Sequence, residues 1–191
     1  YKNIKNIQFF IEDGVTLPEL RQKFSHHFDV ITIKQVAEHL GDMDHFETML
    51  KSASDVLAPG GVIFLEMPNY LFPFEPHCKI PIPPHAKKST IRWIARLFGR
   101  IKTENDERVL QSLNMISSRR AEEVFHKLGF SYRNLMEERK LRDIFFGTQK
   151  LSTRYRLFTI PILITRLLRV NHLLYWFLKK TDLYPSLSYF V

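Results

Sequence analysis

Two short, almost uninterrupted apolar runs separated by one amphipathic helix constrain this chain more than any other feature. FDVITI (28–33) is β-branched and mostly apolar, and VIFL (62–65) repeats that character. Between them Phe46, Met49, Leu50, Ala53 and Leu57 recur at helical spacing, so residues 45–57 are expected to form a helix with one apolar face. Strands that are apolar on both sides need cover on both faces. A helical crossover between them returns the chain parallel to itself, with right-handed geometry. The expectation is an α/β fold built on a parallel sheet.

An earlier run, IQFFI (7–11), closes on Glu12-Asp13-Gly14 and reads as a strand followed by a turn. Ala58-Pro59-Gly60-Gly61 is expected to end the helix and reverse the chain before the next strand, because glycine accepts positive φ. Residues 68–86 hold six of the ten prolines without any period, as a structured loop over a site or a linker would. Ser89 is placed to cap a helix reaching about Phe98. Ser117 or Ser118 is placed to cap another, which Gly129 stops before a strand from Phe130. Residues 138–182 look helical and basic, and SLSYFV (186–191) alternates like a terminal strand.

Composition sorts the function classes. With 45% hydrophobic residues in 191, the chain buries a core, which excludes disorder. The lone Cys78 forms no internal bridge, so nothing asks for an oxidising compartment and a cytoplasmic location is expected. The net charge of +8 gathers in Lys87, Lys88, Arg92, Arg96, Arg100 and Lys102, then in Arg154, Arg156, Arg166, Arg169, Lys179 and Lys180. No zinc-finger spacing or RNA-binding aromatic motif accompanies these cations, so nucleic acid is not an expected partner. Residues 157–178 are long enough to span a bilayer, but Arg166, Arg169 and His172 interrupt them. Each mid-bilayer Arg costs roughly 2.5–3.5 kcal/mol. Spaced by three, these residues would share one face of an amphipathic helix. Tyr175, Trp176, Lys179 and Lys180 at its end suit peripheral contact with the inner face of a membrane, and equally a helix packing on its own domain.

Three segments, IQFFIEDGVTLPEL (7–20), FDVITIKQVAEHLGD (28–42) and LAPGGVIFLEMPN (57–69), occur in an order that resembles the second half of a class I S-adenosylmethionine-dependent methyltransferase. The likeness is to the ubiquinone-biosynthesis O-methyltransferases and the methyltransferase type 11 group. It covers 7–69 well, and 117–137 and 186–191 in outline. It implies a single partial domain over 1–191, with an incomplete Rossmann-like sheet and substrate-side helical insertions at 68–116 and 138–184. S-adenosylmethionine is the implied cofactor. The Asp13 carboxylate would accept a hydrogen bond from the adenine amino group, the Gly14 N–H would reach a ring nitrogen, and Lys34 would touch the methionine part.

Glu38-His39-Leu40 resembles the EH dipeptide of those O-methyltransferases, in which two carboxylates and the His hold a divalent metal. Here the first carboxylate position falls on Gln35. One carboxylate and one imidazole satisfy a hard cation poorly, so no metal is expected. His39 then becomes a candidate general base for a substrate hydroxyl. On the proline-stiffened loop, Asn69 and Glu75 are candidate substrate contacts. His77 is a second catalytic candidate; it stands two residues from Glu75, so that either one orients the other or both face water.

The function implied is methyl transfer to a small or lipid-like acceptor, anionic or amphiphilic given the basic, apolar surroundings. The family's Gly-rich cofactor turn and the acidic residue after its second strand are not found in the sequence. The expectation is therefore a fragment of a longer product, inactive alone. The alternative is a non-catalytic, methyltransferase-like domain that binds a partner or an anionic membrane surface.

Overall fold

The computed structural model describes residues 15–136, 141–146, 159–184 and 186–191. The expected strand at 7–11, with Asp13 and Gly14, lies outside them. A short helix, α1 (Pro18–Lys23), leads into β1 (Phe28–Lys34), and a 3-10 turn (Ala37–His39) precedes α2 (Met43–Val56). Asp42 caps α2, its carboxylate accepting the His45 N–H at 2.9 Å. β2 (Leu57–Pro68) then runs parallel to β1, from Val30 opposite Val62 to Lys34 opposite Glu66. These elements follow the sequence expectation closely.

The Pro-Gly-Gly segment departs from it. Phe28 already pairs with Leu57 and Val30 with Val62, so two steps along β1 match five along β2. The reversal is thus a bulge inside the strand, not a free turn before it. Gly60 supplies φ +78°, and a Cβ on Gly61 would stand 2.9 Å from the Ala58 carbonyl oxygen, which only glycine avoids.

The loop at 68–86 is a folded module. It carries the hairpin β3 (Phe74–Glu75) and β4 (Ile80–Pro81). Tyr70, Ile80 and Ile82 join Ile91 and Ala95 of α3 (Lys88–Leu97) and Leu110 of α4 (Glu104–Ser112) in a second, smaller core. Lys87, not Ser89, stands at the N-cap of α3, so Ser89 falls within the first turn. α4 begins at a reciprocal capping box between Thr103 and Asp106, a signal the sequence carried and the periodicity did not. Arg92 and Arg96 both bind the Glu107 carboxylate and clasp α3 to α4.

Those hydrogen bonds, Arg96 first and then Arg92, hold the Glu107 carboxyl below its usual range. A depressed folded pKa means a contribution present at neutral pH and lost as pH falls through the folded value. The melting-temperature difference between wild type and Glu107→Gln is expected to shrink from pH 7 towards strongly acid pH. A difference independent of pH would contradict the clasp.

α5 (Ser118–Lys127) is capped by the Ser117 hydroxyl. β5 (Arg133–Asn134) starts later than the expected strand at Phe130, because the Phe130 N–H still closes the helix end on Phe125. After α6 (Leu141–Phe146), the segment expected as one amphipathic helix is two, α7 (Thr159–Leu167) and α8 (Asn171–Thr181). Arg169 sits between them at φ 57°, so Arg166, Arg169 and His172 do not lie on one continuous helical face. No described helix is long and apolar enough to cross a membrane.

The last strand, β6 (Ser186–Phe190), inserts antiparallel between β2 and β5, giving the order β1-β2-β6-β5. One sheet face, carrying Ile63, Leu65, Met67, Leu187 and Tyr189, shares the main core with Phe46, Met49 and Leu50 of α2 and Ala121 and Phe125 of α5. The opposite face is open among the described residues. Val30 there is 61% exposed, and Val62 and Phe190 are also exposed.

Candidate functional site

β1 and β2 end side by side at Lys34 and Pro68, and open α/β sheets place ligands at that edge. Lys34 holds its ammonium 3.7 Å from the Glu66 carboxylate and stays half exposed. Gln35 follows at φ 54°, its N–H donating to the Glu66 carbonyl at 2.7 Å. This left-handed residue turns the chain out of the strand into the 3-10 turn. Glu38 is thereby buried to 1% exposure, while the His39 side chain stays 44% exposed. The Glu38 carbonyl accepts the Asn114 N–H at 2.6 Å, which fixes the turn to the segment before α5.

The β3–β4 hairpin brings His77 against this turn. The His39 and His77 rings meet edge to face, with centroids 5.3 Å apart. Glu75, fully buried, grips His77 from behind: one carboxylate oxygen lies 2.6 Å from Nδ1 and the other accepts the Cys78 N–H. With Nδ1–H donating to this carboxylate, Nε2 is the ring nitrogen of His77 left with its lone pair. One donor atom from each of Glu38, His39 and His77 falls within 4.8 Å of the others. The sequence set the Glu38–His39 pair aside for want of a further donor. The fold supplies one in His77, across a separation that no periodicity reveals.

Burial first, and then the Glu75 carboxylate, push the Cys78 thiol up to about 11. At mildly alkaline pH, iodoacetamide should alkylate folded Cys78 about a hundredfold more slowly than the unfolded chain, because the thiolate is the nucleophile. Equal rates in the two states would refute this environment.

Asn69 serves a different end. Its Nδ2 donates to the carbonyls of Asp182 at 2.6 Å and Tyr184 at 2.9 Å, and its Oδ1 accepts the Leu71 N–H at 3.1 Å. Both amide donors are committed to the backbone. They tie the end of β2 to the segment entering β6 instead of facing a bound acceptor. Glu75, equally enclosed, reaches a ligand only through His77.

A cleft of about 410 Å³ opens beside the turn, with Tyr70, Leu71, His85, Lys87, Lys88 and Arg120 on its walls. His39 and His77 are not among its lining residues, but Asn114 joins it to the Glu38 turn. The cationic lining was half legible. Lys87 and Lys88 fall in a visible charge cluster, whereas Arg120 is brought in only by α5.

No family model matches the chain. Over 91 residues it is 34% identical to two uncharacterised proteins of Mycobacterium tuberculosis, from strains CDC 1551 / Oshkosh and H37Rv. The match covers 47% of this chain and only 30% of each relative, so the chain is similar to part of longer proteins whose activity those names do not state.

Proposed function

We propose that this chain corresponds to the second half of an S-adenosylmethionine-dependent methyltransferase domain acting on a small or lipid-like acceptor, anionic or amphiphilic. The observation that carries the reading is the strand order. A parallel pair is followed by a last strand that returns antiparallel between β2 and β5. The sheet of class I methyltransferases ends in this way, and the resemblance of 28–42 and 57–69 to that family falls on the same strands. Among the described residues β1 is the outermost strand on its side and its outer face is open, which fits a sheet that continues there.

The cofactor supplies an activated methyl group on a sulfonium. Displacement there needs mainly alignment, which is a task for positioned side chains. Of the residues the resemblance assigns to the cofactor, Asp13 and Gly14 lie outside the described residues. Lys34 stands at the ligand edge of the sheet, where a cation suits the carboxylate of the methionine part. A base is required only for an acceptor that must lose a proton. His77, with Nδ1 held by Glu75, offers Nε2 for that step, and His39 stands beside it. The cleft cations Lys87, Lys88 and Arg120 suit an anionic acceptor.

Calorimetric titration with S-adenosylhomocysteine, on this chain and on the natural full-length protein, tests the reading. Binding by the full-length protein, weakened at least about tenfold by Asp13→Ala through loss of a charge-assisted hydrogen bond, is the expected result. A full-length protein that does not bind overturns it.

A second reading, an interaction domain without catalysis, is favoured by the surface of α7 and α8. Ile160, Leu163, Leu168, Leu173 and Trp176 are exposed there, Leu167 is 82% exposed, and Lys180 lies over the Trp176 ring at 4.8 Å. That reading expects co-sedimentation with phosphatidylglycerol vesicles, lost at high salt. Equal recovery with neutral and anionic vesicles would sink it.

A further inference from the structure

We infer that Glu38, His39 and His77 form a site for a borderline divalent transition ion of the zinc class, with Glu75 orienting His77. The inference does not rest on methyl transfer, since the site would load whether or not a cofactor binds elsewhere.

The donor chemistry selects the ion. Hard cations such as magnesium need a shell of oxygens. The oxygen-rich set that the resemblance implies is incomplete here, because its first carboxylate position is Gln35, a neutral and exposed residue. What the fold assembles is two imidazoles and one carboxylate, a set that suits zinc and its first-row neighbours.

The surroundings fit as well. Metal-binding imidazoles characteristically donate their other ring nitrogen to a carboxylate, which fixes tautomer and orientation. Glu75 holds His77 Nδ1 in that manner at 2.6 Å and leaves Nε2 for the ion. The Glu38 carboxylate, 1% exposed, lies on the inner side of the site, with His39 Nε2 at 3.9 Å from its Oε1.

The side chains need only a small closure. Tetrahedral zinc at its usual bond lengths places donors about 3.3 Å apart. The present separations are 3.9 Å between His39 Nε2 and Glu38 Oε1, and at most 4.8 Å within the trio. The half-exposed His39 side chain has room to make that shift, while Glu38 is buried and His77 is held through Nδ1 by Glu75. His39 and His77, 44% and 22% exposed, leave the solvent side open for a water or an acceptor oxygen. An ion there would act as a Lewis acid on that oxygen.

The test is titration of the chelator-stripped chain with zinc chloride by calorimetry, and with cobalt(II) by visible absorption. Expected are one ion per chain and the d–d bands of a low-coordinate cobalt site. His39→Ala and His77→Ala should each weaken binding at least about a hundredfold, and Glu75→Gln about ten- to a hundredfold with altered bands. His126→Ala, on the exposed face of α5, should bind like wild type and serves as the control for stray histidine sites. Circular dichroism monitors folding. If Glu75→Gln unfolds, the surface variant His39→Ala still decides the matter. No binding by wild type, or undiminished binding by both His39→Ala and His77→Ala, overturns the inference.

Discussion

Asn69→Ala is expected to lower unfolding free energy by about 3 kcal/mol, because each buried group left without its partner costs about 1–3 kcal/mol. The amide ties residues far apart in sequence, with Nδ2 on the carbonyls of Asp182 and Tyr184 and Oδ1 on the Leu71 N–H. Truncation takes this donor from both carbonyls and loosens the segment that feeds β6 into the middle of the sheet. Asn69→Asp should be at least as harmful, since it sets carboxylate oxygens against two carbonyl oxygens. A side chain that only contacted substrate would leave stability within about 0.5 kcal/mol. Denaturant unfolding of the two variants therefore separates a tie in the fold from a wall of the pocket.

Phe125→Ala should cost still more, about 4 kcal/mol, in the range of large-to-small aromatic core substitutions. Phe125 is fully buried, and its ring packs on Tyr132 at 5.3 Å and edge-on against Tyr189 at 5.1 Å. Tyr189 in turn donates its hydroxyl to Glu122 at 3.0 Å, and burial drives its phenol pKa upward, so the ring stays neutral. The cluster is the joint between α5 and β6. Domains of this size hold about 5–15 kcal/mol in all, so the substitution removes a large share of the total. The expected signature is a lower denaturant midpoint with an unchanged slope. A shift under about 1 kcal/mol would mean that α5 does not rely on this joint.

The parts legible in the sequence were those governed by period. FDVITI, the apolar stripe from Phe46 to Ala53 and the alternating SLSYFV gave β1, α2 and β6 because strand and helix periods dominate in buried elements. The Pro-Gly-Gly bulge was not legible, since its character depends on which residue of β1 stands opposite. The break between α7 and α8 escaped because Arg169 adopts a left-handed conformation without the glycine that usually announces it. The site was legible residue by residue but not as a site. His39, Glu75 and His77 each stood out, and the spacing of Glu75 and His77 suggested their contact. The meeting of His77 with Glu38 and His39 depends on a hairpin of two-residue strands seated on the second core, for which no local pattern exists.

The central claim is that a cofactor sits against the carboxyl ends of β1 and β2. Amide hydrogen exchange of the natural full-length protein, with and without S-adenosylhomocysteine, tests it most directly. Protection is expected to rise at residues 34–40 and 66–71, with α7 and α8 unchanged. No change at these strand ends, or protection confined to α7 and α8, would contradict the account.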